Sequence, residues 1–194
     1  MTDAPIATTA SIAAFLDALE APAPSPCGGT AAAAAAAMAA SLVTMVARGS
    51  GDWDDAAGVA AQGRALRARL LELGDADTQA FADVLRRMRE PTGTAEQRDF
   101  ALGDALIQAA EVPLRIAEAA ADVAELAAFA AAEGAPQLRP DASAAATLAE
   151  AAVRASTHLV EINLATVAGD RHSARGVELA EAAATARERA LGTS

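Results

Sequence analysis

The sequence predicts an all-α bundle of six to seven helices, some long and kinked, around a central alanine-rich helix. Three observations carry that prediction. The chain is 53% hydrophobic but only 3% aromatic, with alanine and leucine supplying the apolar content, and this composition favours helix over sheet. Apolar residues recur at helical spacing in the long segments. No segment alternates as a strand does; the best candidate, Leu159-Val160-Glu161-Ile162, lies inside a helical pattern. The 194 residues are read as one domain spanning 1–194, with 1–8 as a flexible arm.

Each element has a local reason. Residues 11–19 read as a short amphipathic helix with Ile12, Phe15, Leu16 and Leu19 on one face, capped by Thr9 or Ser11 and ended before Pro22. Pro24-Ser25-Pro26-Cys27-Gly28-Gly29-Thr30 then reads as a non-helical loop, because proline fixes φ and glycine opens unusual angles. Thr30 is the expected cap of the next helix. That helix, from 31 to about 48, is nearly all alanine at first and then Met38, Ser41, Leu42, Val43, Thr44, Met45 and Val46. A helix apolar all round is buried on all sides. Its small side chains let neighbours, or a ligand, approach the backbone closely. Gly49-Ser50-Gly51 ends it.

A third helix opens near Asp54 and carries Val59, Leu66, Leu70 and Leu73, with Gly74 as a possible break before Phe81, Val84, Leu85 and Met88. Pro91-Thr92-Gly93 stops it. Thr94-Ala95-Glu96-Gln97 has the form of a capping box and opens a fourth helix to about Glu133, with a kink expected at Pro113. After a loop at 134–140, Asp141 starts a helix to about Val167; Gly169 breaks it and Asp170 opens the last, to about Arg189.

Charge and chemistry exclude several classes. The net charge of −11 and the lack of a basic stripe argue against nucleic acid as partner. All fifteen basic residues are arginine, so no lysine base or side-chain Schiff base is available. One cysteine allows no intramolecular disulfide; with no positive n-region at the N-terminus, the expected location is the cytoplasm. The alanine run approaches the length of a membrane span. Alanine is only weakly apolar, and Ser41 and Thr44 interrupt the run, so no membrane partner is expected. His158 and His172 lie in no Glu-x-x-His pattern and no Cys/His cluster has zinc spacing, so no metal is expected. Alanine-rich helices bury little area each, which predicts a homodimer.

Several segments together resemble one family. Pro-x-Pro-x-Gly-Gly-Thr before an alanine helix ending in Met45-Val46-Ala47 is similar to the opening of the cyclodeaminase/cyclohydrolase family of folate enzymes, whose usual loop reads Pro-Thr-Pro-Gly-Gly-Gly-Ser. Asp75-Ala76-Asp77-Thr78-Gln79-Ala80-Phe81 resembles its Asp-x-Asp-x-x-Ala-Phe segment. Val112-Pro113-Leu114, Pro140-Asp141-Ala142-Ser143 and Ile162-Asn163-Leu164 resemble its Val-Pro-Leu, Ser-Asp-Ala-Gly and Ile-Asn-Leu, in the same order. Cys27 departs from a glycine, Ala135 from an asparagine, Pro140 from a serine and Leu159 from an asparagine.

The resemblance implies a folate substrate and no further cofactor. Because no formiminotransferase domain accompanies the chain, the expected reaction is hydrolysis of 5,10-methenyltetrahydrofolate to 10-formyltetrahydrofolate. The alternatives are a formiminotetrahydrofolate cyclodeaminase, or a binding protein of the same fold without catalysis. Either reaction needs a group that moves protons beside a cationic carbon, which a buried carboxylate can supply. Asp77, beside Leu73 and Phe81, is the first catalytic candidate; its alternative is a surface aspartate. Asp141 is the second; its alternative is an ordinary N-cap. Pro26, Cys27, Gly28, Gly29 and Thr30 are candidate substrate-binding residues, the alternative being tight helix packing. Asn163 either holds the pterin edge or ties two helices together. Arg64, Arg67, Arg86, Arg87 and Arg89 are expected on solvated faces.

Overall fold

The computed structural model describes residues 12–22, 27–89, 92–164 and 171–192. They form six α-helices and one short 3-10 turn, with no strand among the described residues. The helices are α1 (Ile12–Glu20), α2 (Gly28–Gly49), α3 (Ala56–Arg89), α4 (Ala95–Glu133), α5 (Arg139–Asn163) and α6 (Arg171–Leu191); Pro136–Leu138 form the 3-10 turn. The expected capping residues Thr9 and Ser11, the loop residues Pro24, Ser25 and Pro26, and Pro91, Gly169 and Asp170 lie outside the described residues.

The alanine-rich α2 is central and packs against α3, α4 and α5. It is long and apolar enough to cross a membrane, yet 56% of its most apolar window is buried inside the bundle. Ala36, Ala39, Ala40, Val43 and Val46 have no exposed surface. Alanine facing alanine on α4 and α5 sets the helices close together. At one α2–α3 crossing, a Cβ on Gly63 would lie 2.5 Å from Thr44 Oγ1. Only a residue with no side chain fits there.

Two seams give the directions. Gly29 meets Asp77 and Thr44 meets Gly63, so α2 and α3 run antiparallel. Gly28 meets Leu159 and Gly49 meets Leu138, so α2 and α5 are antiparallel as well. The N-terminus of α2 is therefore flanked by the middle of α3 and the late part of α5. Its C-terminus is flanked by the start of α5.

Several boundaries differ from expectation for identifiable reasons. α2 starts at Gly28, with Cys27 as its N-cap in extended conformation and no side-chain cap bond. The glycines sit inside the first turn, and neither Gly28 nor Gly29 has a positive φ. Gly29 is needed for space, not for an unusual angle, because a Cβ there would fall on the Asp77 carboxylate. α3 runs unbroken through Gly74, because that residue packs on Ala33 and Thr30. α5 begins two residues before Asp141, which falls in its first turn; Leu138 is the cap residue, so Asp141 is not an N-cap. α1 forms as expected but buries no residue; Ile12 and Leu16 are 73% and 51% exposed. The capping box at Thr94 is present, with Gln97 N–H donating to Thr94 Oγ1 at 3.3 Å and Thr94 N–H to Gln97 Oε1 at 3.0 Å.

α4 continues through Pro113, and the way it does so accounts for two motifs at once. Proline has no N–H for the carbonyl four residues back. That carbonyl belongs to Ala109, and Asn163 Nδ2 donates to it at 2.9 Å. Asn163, at the end of α5, replaces the missing helical bond and ties α5 to α4. Asn163→Ala is expected to cost about 1–3 kcal/mol, because it strands a buried acceptor. In a Pro113→Ala background, which restores an N–H, the same substitution should be nearly neutral. Chemical denaturation of the two single variants and the double variant checks this; losses that simply add would refute the pairing.

Candidate active site at the junction of α2 and α3

The first turn of α2 leaves backbone N–H groups without helical partners and carries a partial positive charge. Its complement comes from the chain itself. Asp77, on α3, is only 6% exposed and lies against that turn. A Cβ built on Gly29 would fall 2.3–2.4 Å from its carboxylate atoms, so the carboxylate fills the space that a side chain at 29 would take. Cys27 Sγ donates to Asp77 Oδ2 at 3.0 Å. Thr30 Oγ1 lies 3.4 Å from the same oxygen, 3.0 Å from the Gly74 carbonyl and 2.9 Å from Thr78 Oγ1. Thr30 is thus turned toward α3 and does not cap its own helix.

The electrostatics follow from burial. Desolvation pushes the Asp77 carboxyl above its ordinary range, while the Cys27 thiol, the Thr30 N–H and the Thr30 hydroxyl pull it back by bonding the charged form. No cation is among the groups acting on it. Burial, then the Asp77 hydrogen bond and charge, push the Cys27 thiol up to about 12. Cys27 is therefore a protonated donor at neutral pH and not a thiolate. Asp75, two residues earlier on α3, also has its carboxyl raised by desolvation.

The candidates do not all converge. Cys27, Gly29, Thr30 and Asp77 form one cluster, and Gly28 lies exposed at its edge, where its α-carbon face is in ordinary contact with Leu159. Pro26 lies outside the described residues. Asn163 is one turn beyond Leu159 on α5, but its amide is bonded to Ala109. Asp141 is not in the cluster. It follows Leu138, which packs on Gly49, so within one chain it lies about 30 Å from Asp77 along α2. Thr78 was not singled out from the sequence. Its signal was its position one turn after Gly74, whose carbonyl it also bonds at 3.3 Å. Arg64, Arg67, Arg86 and Arg89 are exposed, and Arg86 and Arg87 pair with Asp83. Among the described residues, no group of three or more His, Cys, Asp or Glu side chains is placed to share a metal ion. A groove of about 570 Å³ runs elsewhere between α3 and α4, lined by Leu66, Arg69, Asp122, Glu125, Leu126 and Phe129 among others, and contains no residue of the Asp77 cluster.

The family model for formiminotransferase-cyclodeaminase matches residues 11–183. The chain belongs to this family. It is 34% identical over 119 residues to the formimidoyltransferase-cyclodeaminase of Rattus norvegicus, a match covering 56% of this chain and 22% of that protein. The chain thus spans under a quarter of that curated relative. The fold matches the crystal structure of a formiminotetrahydrofolate cyclodeaminase from Thermotoga maritima with a TM-score of 0.81 and 25% identity, covering 95% of each chain. These likenesses correct the cyclohydrolase expectation. It rested on the extent of the chain, but the Thermotoga chain has the same extent as this one and carries the cyclodeaminase name. Extent therefore does not select hydrolysis. A folate-derived substrate fits the family.

Proposed function

We propose that this chain is a formiminotetrahydrofolate cyclodeaminase that closes 5-formiminotetrahydrofolate to 5,10-methenyltetrahydrofolate and releases ammonia. The observation that carries this reading is the buried, cation-free carboxylate of Asp77 at the α2 N-terminus, in a family chain whose full-length structural neighbour bears that name. Ring closure forms a bond from N10 to the formimino carbon and breaks the bond from that carbon to the terminal nitrogen. N10 loses one proton and the departing nitrogen gains one, so the cationic charge stays on the product and neutral ammonia leaves. Asp77 takes the N10 proton and returns it to the leaving nitrogen. A carboxyl whose proton affinity is raised by burial suits both halves of that transfer. The negative carboxylate also stabilises the cationic carbon.

The test is methenyl absorbance and ammonia release from 5-formiminotetrahydrofolate, with Asp77→Asn as control. Acceleration over buffer that the substitution lowers by about 10²-fold or more supports the reading. A folded protein that gives no acceleration overturns it. The active form in this proposal is a homodimer, because Ile12, Leu16, Met38 and Met45 leave apolar surface exposed that a two-fold contact would cover. Sedimentation showing a monomer at micromolar concentration would remove that part.

A further inference from the structure

Asp77 is held by donors at the start of α2. Cys27 Sγ at 3.0 Å and Thr30 Oγ1 at 3.4 Å both approach Oδ2. The Thr30 N–H bonds the carboxylate as well. Thr30 is itself fixed by the Gly74 carbonyl and Thr78. Cys27 is the N-cap of α2 and is held in place by the backbone there.

We propose that Cys27 is a positioning residue for Asp77: its thiol donates to Oδ2 and fixes the carboxylate against Gly29 in the orientation from which it exchanges the substrate proton. This rests on the cyclodeaminase reading for its last step only. The thiol suits the task because it is a weak donor. A strong cationic partner would keep the carboxylate ionised but make it a poor base. A protonated thiol orients it and favours the ionised form modestly. Other titratable groups nearby are few. α3 brings Asp75, and α5 presents Leu159, while His158 of α5 lies on an exposed face 3.6 Å from Glu161. No charged group from α4 or α5 shifts either Cys27 or Asp77.

The chain has one cysteine, so the infrared S–H stretch reports this thiol alone. The band is expected at lower frequency than a thiol in water. It should move in Asp77→Asn, and in the wild type as acid protonates Asp77. A band indifferent to both changes overturns the bond. This readout needs no turnover, so it stands even if the cyclodeaminase reading fails. The positioning role is read from the pH profile of kcat/KM. Removing a donor to the charged form makes the carboxyl easier to protonate, so the acid limb should move to higher pH in Cys27→Ala, with a severalfold loss of rate on that limb. Cys27→Ser, which keeps a donor, should restore it. An unchanged profile in Cys27→Ala, or a Cys27→Ser profile matching Cys27→Ala, overturns the role.

Discussion

Asp77→Asn should be more stable than the wild type at neutral pH while losing about 10²- to 10⁴-fold in turnover. Burial raises the folded-state pKa of Asp77 above the ordinary carboxylate range. A group shifted this way favours folding fully only below its unfolded value. That contribution is lost as pH rises through the raised folded value. At neutral pH the wild type thus carries a buried carboxylate that folding disfavours. The near-isosteric amide removes the charge, and its oxygen accepts from Cys27 in the place of Oδ2. Relief of a functional site of this kind is on the order of 1 kcal/mol, or roughly 2–4 °C in Tm for a chain of this size. The gap should shrink on acidification and close below the unfolded pKa. Thermal melts of both proteins across pH check the sign. A purely structural aspartate would behave in the opposite way, since the thiol and hydroxyl bonds would be weakened with no strain relieved. Asp77→Asn would then melt lower at neutral pH, and the catalytic assignment would lose its physical basis.

Helix number and order were legible because the alanine and leucine patterns are long and the punctuation between them is strong. The Thr94 box is local chemistry, written in four consecutive residues, and it appears as expected. The start of α2 was less legible. Gly28 and Gly29 read as loop residues because glycine disfavours helix. That propensity is small beside the close approach of Asp77 to Gly29, and Asp77 lies on α3, forty-odd residues away in sequence. The same distance hid the destination of the Thr30 hydroxyl. Asp77 could be singled out because it sits among Leu73 and Phe81 at helical spacing, although Phe81 proves 37% exposed. The bond of Asn163 to Ala109 could have been anticipated. Pro113 leaves a carbonyl at 109 without its helical donor, and a polar residue amid Ile162 and Leu164 needs a partner. What no local pattern supplies is which two such needs meet. Asp141 was placed by analogy of motif alone, and the antiparallel run of α2 and α5 carries it to the far end of the bundle.

Gly29→Ala should both destabilise the protein and abolish most of its turnover. On backbone grounds it should help, since position 29 is inside a helix with negative φ and alanine is better there by about 1 kcal/mol. The obstacle is the added Cβ, which would lie 2.3 Å from Asp77 Oδ1 and 2.4 Å from Cγ and Oδ2. The whole carboxylate is in the way, not the tip of a long side chain, so it cannot rotate clear while keeping its bonds to Cys27 and Thr30. Overpacking of this sort costs about 1–3 kcal/mol, enough to offset the helical gain and leave a net loss. Displacing the carboxylate should also lower kcat about as far as Asp77→Asn does, because proton transfer tolerates little misplacement. The neighbouring Gly28→Ala separates the two effects: its Cβ would meet only Leu159 methyl carbons at 3.7–3.8 Å, an ordinary contact, so its stability should rise. A second variant isolates the cause. In Asp77→Ala the space is vacant, and adding Gly29→Ala should now stabilise, giving a coupling of 1 kcal/mol or more, within the range of about 0.5–3 expected for touching residues. Denaturation of the four proteins measures it. Additive effects would mean that Gly29 and Asp77 do not share that space, and the site built on their contact would have to be abandoned.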